Sequence, residues 1–182
     1  MARINARSLA ALPARHRRAT VAAGFVSGML SGLPEQGVDP KAVLVGAGLL
    51  PGLLDDPQGR VPLTDYASLY NHVVGLLDDE GFGLFSVKLR GGMFEFLCRS
   101  MIGSRNLGEA LARAAGFLRL VLPDLALRVG TDDAGARIEI VETVPCTSVL
   151  DDRRRVFAFE WLLRLVHGLS CWLVGRGLSL DS

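Results

Sequence analysis

Glu160, Arg164 and His167 lie inside an otherwise apolar run, VFAFEWLLRLVHGLSCWLV, from Val156 to Val174. Spacings of four and three residues put them on one stripe of an α-helix. A carboxylate followed one turn later by a guanidinium can pair along a helix face, and an imidazole stands one turn further on the same stripe. The carboxylate–guanidinium spacing recurs at Glu95 and Arg99, inside FEFLCRSMIG. An unpaired charge in an apolar interior costs several kcal/mol, so each stripe has two physical uses. Either the two pairs are surface ion pairs at the solvent edges of two core helices, or the stripes face one another across a cavity. The second arrangement gives a pocket with apolar walls, aromatic side chains and a few fixed charges. On that reading Glu95, Arg99, Glu160, Trp161, Arg164, His167 and Trp172 line a ligand site, with Phe94 and Phe96 nearby.

Other reactive residue types form no pattern that carries chemistry. His16, His72 and His167 have no second histidine at ligand spacing. Cys98, Cys146 and Cys171 are odd in number and widely separated, which fits neither a disulfide framework nor a metal clip. Reduced, structural thiols in a cytoplasmic protein are expected. Gly81-Phe82-Gly83 and Gly91-Gly92 lack the Lys-Ser/Thr and the strand context of a phosphate loop. The adjacent acids Asp55-Asp56, Asp78-Asp79, Asp132-Asp133 and Asp151-Asp152 sit at turns and helix ends, where short acids cap and solvate. The reading is therefore a protein that is not an enzyme and needs no metal or cofactor.

The elements that must position the stripes follow from periodicity. Val21, Phe25, Met29 and Leu33 recur every fourth residue and predict an amphipathic helix after a basic, flexible lead-in over residues 1–18. Arg15, Arg17 and Arg18 before this segment resemble a signal peptide, but no small-x-small cleavage site follows. Asp39-Pro40 opens a short helix through Leu44, and Leu50 to Pro62 reads as a linker-like turn region. Thr64 is expected to cap a helix with Tyr66, Leu69, Tyr70, Val73, Leu76 and Leu77 inward, stopping at Asp78-Asp79-Glu80, whose charge opposes the helix dipole.

Gly91-Gly92 breaks the chain before FEFLCRSMIG, and Asn106 with Glu109 forms a capping box for a helix from Leu107 to Leu122. Leu125, Leu127 and Val129, a turn at Asp132 to Gly135, then Ile138 and Ile140 predict a β-hairpin. Asp151 or Asp152 caps the last helix, and Gly175 with Gly177 closes it. The fold class is α+β, with helices packed on a small antiparallel sheet. Two strands are marginal by themselves, and an alternation begins at Leu178-Ser179-Leu180, so the remaining strands are expected beyond Ser182.

The 182 residues, 49% hydrophobic and 21% charged, have the composition of an ordinary globular domain. A net charge of +1 gives no global electrostatic case for nucleic acid or an anionic membrane. The last helix is nearly long enough to span a bilayer, but a lipid-facing helix would not tolerate its charged stripe.

From about Ala19 onward, the order VAAGFVSGML, VDPKAVLVGAGL, LLDDPQGRVPLTDYASLY, DEGFGLF, NLGEALARAAGFLRLV, hairpin, FAFEWLLRLVHGLSCWLVGRGLSLDS resembles the N-terminal effector domain of AraC-type transcription regulators, the arabinose-binding-like class. The resemblance covers nearly the whole chain and rests on the order of packing and capping motifs. It implies a bacterial, cytoplasmic sensor whose residues 19–182 bind a small-molecule effector of unknown identity or mediate homodimerisation. Promoter DNA would be met through a C-terminal pair of helix-turn-helix units that these residues do not include. The competing class is a standalone small-molecule binding or protein-interaction module. A membrane-peripheral protein using the basic N-terminus and Phe25 stands behind both.

Overall fold

A computed structural model of the protein describes residues 19–56, 58–132, 135–143 and 152–180. The basic lead-in, His16, Cys146 and Asp151 lie outside these residues. The described residues form two compact units, one running to Leu84 with Lys88–Gly91, the other combining Phe85–Val87 with the chain from Gly92 onward.

The first unit contains strand β1 (Thr20–Ala22), helix α1 (Ala23–Leu30), a 3₁₀ turn at Pro34–Gln36, helix α2 (Pro40–Gly46), a 3₁₀ turn at Pro51–Asp55, strand β2 (Arg60–Pro62) and helix α3 (Leu63–Leu77). β1 and β2 pair antiparallel with Val21 opposite Val61. Val26, Met29, Leu30, Leu33, Leu44, Leu69 and Val73 fill the core. The four-residue repeat therefore does not describe a single helix. Val21 belongs to β1, Leu33 lies in the turn after α1, and Ala22 makes no side-chain cap for that helix. The reason is backbone pairing: Ala23 N–H donates to Gly59 O at 2.8 Å, continuing the β1–β2 ladder into the first turn of α1. The region expected to be a linker supplies the partner strand.

Asp39 caps α2 as expected, its carboxylate accepting from Lys41 N at 3.0 Å. Thr64 does not cap α3: the helix starts one residue earlier, at Leu63, and the Thr64 hydroxyl donates to Asp65 at 3.1 Å. The acidic run after α3 differs from a solvated helix end. Asp79 is buried, and its carboxylate accepts from the N–H groups of Gly81, Gly83 and Leu89 at 2.8, 2.9 and 2.8 Å. Three charge-assisted bonds compensate the burial of that side chain and define the loop. Gly32 packs so closely on the same loop that a Cβ there would stand 2.6 Å from Phe82 O.

The second unit contains helix α4 (Met93–Ile102), helix α5 (Leu107–Val121), strands β3 (Leu125–Asp132) and β4 (Gly135–Glu142), and helix α6 (Asp152–Val174). α5 packs against α4, β3 and α6. The hairpin register sets Leu127 opposite Ile140 and Val129 opposite Ile138, as the alternation predicts. Asn106 caps α5 through Glu109 N at 2.9 Å, while the Glu109 carboxylate reaches back to Arg105 N rather than completing the reciprocal box. Asp124, buried at the turn before β3, accepts from Ser86 N and Oγ, and Arg155 of α6 holds Glu142 of β4 with bonds of 2.5 and 3.3 Å.

The fold is α+β with two separate two-stranded antiparallel sheets. β1 and β2 are strands that the sequence reading did not include, and they form their own sheet. Leu178–Leu180, where an alternation starts, is not a strand.

Candidate functional site

α6 buries Phe157, Ala158, Trp161, Leu162, Val166, Leu169 and Ser170. These positions form the apolar face of a long helix, and they explain why the run is so hydrophobic. Glu160 and Arg164 lie on the solvent edge, 4.0 Å apart with side chains 51% and 68% exposed. On α4, Leu97 and Met101 are buried, whereas Glu95 Oε1 accepts from Arg99 Nε at 2.8 Å and Nη2 at 2.6 Å, with Arg99 73% exposed. The hydrogen bond from Arg99, with its charge second, holds the Glu95 carboxyl below the usual carboxylate range. Both stripes are surface ion pairs. Of the two arrangements open to the sequence, the ion pairs take the first: each helix buries its apolar face and leaves the paired charges in water, which avoids the desolvation cost.

The aromatic residues divide. Trp161 is buried with its ring 5.7 Å from that of Phe85, whereas Trp172 is 57% exposed. Phe96 is exposed beside Phe117, ring centroids 5.3 Å apart. His167 is half-buried, and its Nε2 lies 2.8 Å from Leu178 O and 3.4 Å from Cys171 Sγ. The structure thus joins His167 to Cys171, a contact that the sequence reading did not include. Phe85 and the Ser86–Asp124 bond carried no sequence signal of comparable strength, since partners 38 residues apart share no local period.

In the first unit Tyr70 packs edge-on against Phe82, with centroids 5.2 Å apart and planes at 80°. Burial, then the charges of Glu80 and Tyr66, push the Tyr70 phenol well above its ordinary range. Among the described residues, no three His, Cys, Asp or Glu side chains gather as a metal site. Among the described residues, one helix, Arg154–Val174, is long and apolar enough to cross a membrane by length and composition, with a mean hydropathy of 1.3.

The arabinose-binding domain found at the N-terminus of AraC transcription regulators matches residues 37–182. The chain belongs to that family. This AraC-type domain is 28% identical over 160 residues to an ornithine utilization regulator of Pseudomonas aeruginosa, a match covering 87% of the chain and 46% of the relative. It therefore spans about half the length of the curated relative it matches. The family is one of regulators, in which effectors and DNA are bound by separate domains.

Proposed function

We propose that this AraC-type domain is the ligand-sensing half of a bacterial, cytoplasmic transcription regulator, binding a small-molecule effector and pairing with a second copy. The observation that carries the reading is the family match over residues 37–182. We further propose that Glu95, Arg99, Glu160, Arg164 and His167 contact the effector, with Trp161 and Trp172 as its aromatic neighbours. Support comes from chemistry: on two helices packed against the same α5, charged groups stand at the surface, and the half-buried His167 adds a ring nitrogen. Charged groups of both signs fit a polar, zwitterionic metabolite. The relative's name concerns ornithine utilization, so amino acids and their amines head the candidates.

The test pairs a thermal-shift screen of the domain with a promoter reporter in the full-length regulator. A true effector raises the melting temperature, as mass action requires, and changes reporter output. Arg164→Ala is expected to weaken both responses while changing unliganded stability by only about 0–1 kcal/mol, the usual worth of an exposed pair. Responses unchanged in Arg99→Ala, Arg164→Ala and His167→Ala would move the site elsewhere in the domain. Regulation that persists after deletion of residues 19–180 would reject the sensing role itself.

A further inference from the structure

Tyr66 and Tyr70 are the chain's two tyrosines, and they stand one turn apart on α3. Their stripe is the middle of the helix's inner face, with Leu69 and Val73 to one side and Ala67 and Val74 to the other. All four neighbours are buried, yet both tyrosines are only half-buried. Solvent therefore enters between covered walls, at a recess rather than along a helix edge. Aromatic rings gather there. Phe25 of α1, half-buried as well, has its ring centroid 6.0 Å from that of Tyr66, and Phe82 meets Tyr70 edge-on at 5.2 Å. The carboxylate of Glu80, a buried residue, acts with its charge on the Tyr70 phenol. The loop that carries Glu80 and Phe82 is held in an uncommon conformation: Phe82 has φ 60, a left-handed backbone that a bulky side chain adopts only under constraint. Asp79 supplies the constraint by accepting the N–H groups of Gly81 and Gly83, on either side of Phe82. Strain fixed in this way by its surroundings is found where a side chain is presented in one position.

We propose that Phe25, Tyr66, Tyr70 and Phe82, with the carboxylate of Glu80, form a binding site for an alkylammonium ion. Aromatic faces carry negative charge density, so a cation over them is attracted, and more strongly where water is partly excluded. The carboxylate beside the rings adds a full opposite charge, which separates a cation from a neutral ligand of the same shape. An anion is repelled by the same group. A divalent metal ion fits poorly, because rings cannot replace its water and one carboxylate does not supply the several oxygens that it takes. The site lies wholly within the first unit. It does not rest on the effector contacts proposed on α4 and α6, which belong to the other unit.

Choline is the probe, and 3,3-dimethylbutan-1-ol, which has the same shape with carbon in place of the charged nitrogen, is its neutral control. Because the chain has two tyrosines, isotope labelling of tyrosine in the full chain gives NMR ring signals from this site alone, with the indole signals of Trp161 and Trp172 as a control in the other unit. Choline is expected to shift the ring signals of Tyr66 and Tyr70 saturably and to leave the indoles unmoved. It is expected to bind roughly fivefold to thirtyfold more tightly than the alcohol, the ratio that a cation–π contact gives. Glu80→Gln keeps the shape of the side chain and removes its charge, and is expected to lower choline affinity roughly tenfold while leaving the alcohol's unchanged. Equal affinity for choline and the alcohol means an apolar recess without cation selectivity and overturns the proposal. Choline binding that leaves the tyrosine signals in place, or that is indifferent to Glu80→Gln in the folded variant, overturns it as well. Where Glu80→Gln does not fold, the ratio of choline to alcohol affinity in the unaltered chain decides.

Discussion

Arg99 directs two N–H donors at one oxygen of Glu95, and the consequence belongs to a single titration. The carboxyl's folded value is lowered, first by that hydrogen bond and then by the guanidinium charge. A lowered value means that the pair contributes above the pH at which an unfolded glutamate ionises, and that the contribution fades as pH falls through the folded value. NMR titration of the Glu95 side-chain carbon is expected to give a midpoint below that of an unperturbed glutamate, returning to the ordinary range in Arg99→Ala. An unchanged midpoint in the variant would remove Arg99 as the cause. At this scale the sequence was legible for partners one helical turn apart: Glu95 with Arg99, Glu160 with Arg164, Asn106 with Glu109. Exposure was not. Spacing says which side chains share a stripe, but whether water covers the stripe depends on what packs around the helix.

Elements reveal where local periodicity and tertiary pairing disagree. Val21 and Phe25 fit a helix by spacing, yet the backbone of residues 20–22 is taken by strand pairing with Arg60–Pro62, forty residues away, which no local pattern predicts. The buried acid Asp79 was unreadable for the same reason, since two of its three N–H partners lie nearby while Leu89 closes a longer loop. Hairpin and helix α5 were legible because alternation, capping and turn chemistry all act over a few residues. Two glycines, Gly24 inside α1 and Gly32 in the turn after it, provide a matched test. Gly24 has nothing within 4 Å of an added Cβ, whereas Gly32 would bring its Cβ to 2.6 Å from a backbone oxygen. Gly24→Ala is expected to stabilise the protein by about 0.5–1 kcal/mol, through helix propensity and chain entropy. Gly32→Ala is expected to cost about 1–3 kcal/mol, because a backbone atom must move. Denaturant midpoints at constant m-value distinguish the two, and equal midpoints would refute the close approach.

For the whole molecule the governing quantities are charge and family. A net charge of +1 over 182 residues offers no surplus of cations to displace condensed counterions from a duplex. Base readout also requires an element that enters a groove, and in this family DNA is met through a separate domain. Residues 1–182 alone are therefore expected to show only weak association with duplex DNA, equal for promoter and scrambled sequences. The five arginines of the lead-in, Arg3, Arg7, Arg15, Arg17 and Arg18, can neutralise a few phosphates at most, so any weak binding should be lost between low and physiological salt. Fluorescence anisotropy with both duplexes across a salt series measures this directly: weak binding that is lost at physiological salt and shows no sequence preference agrees with the proposed sensing role. Nanomolar, sequence-dependent binding at physiological salt would place DNA recognition within these residues and overturn that division of labour.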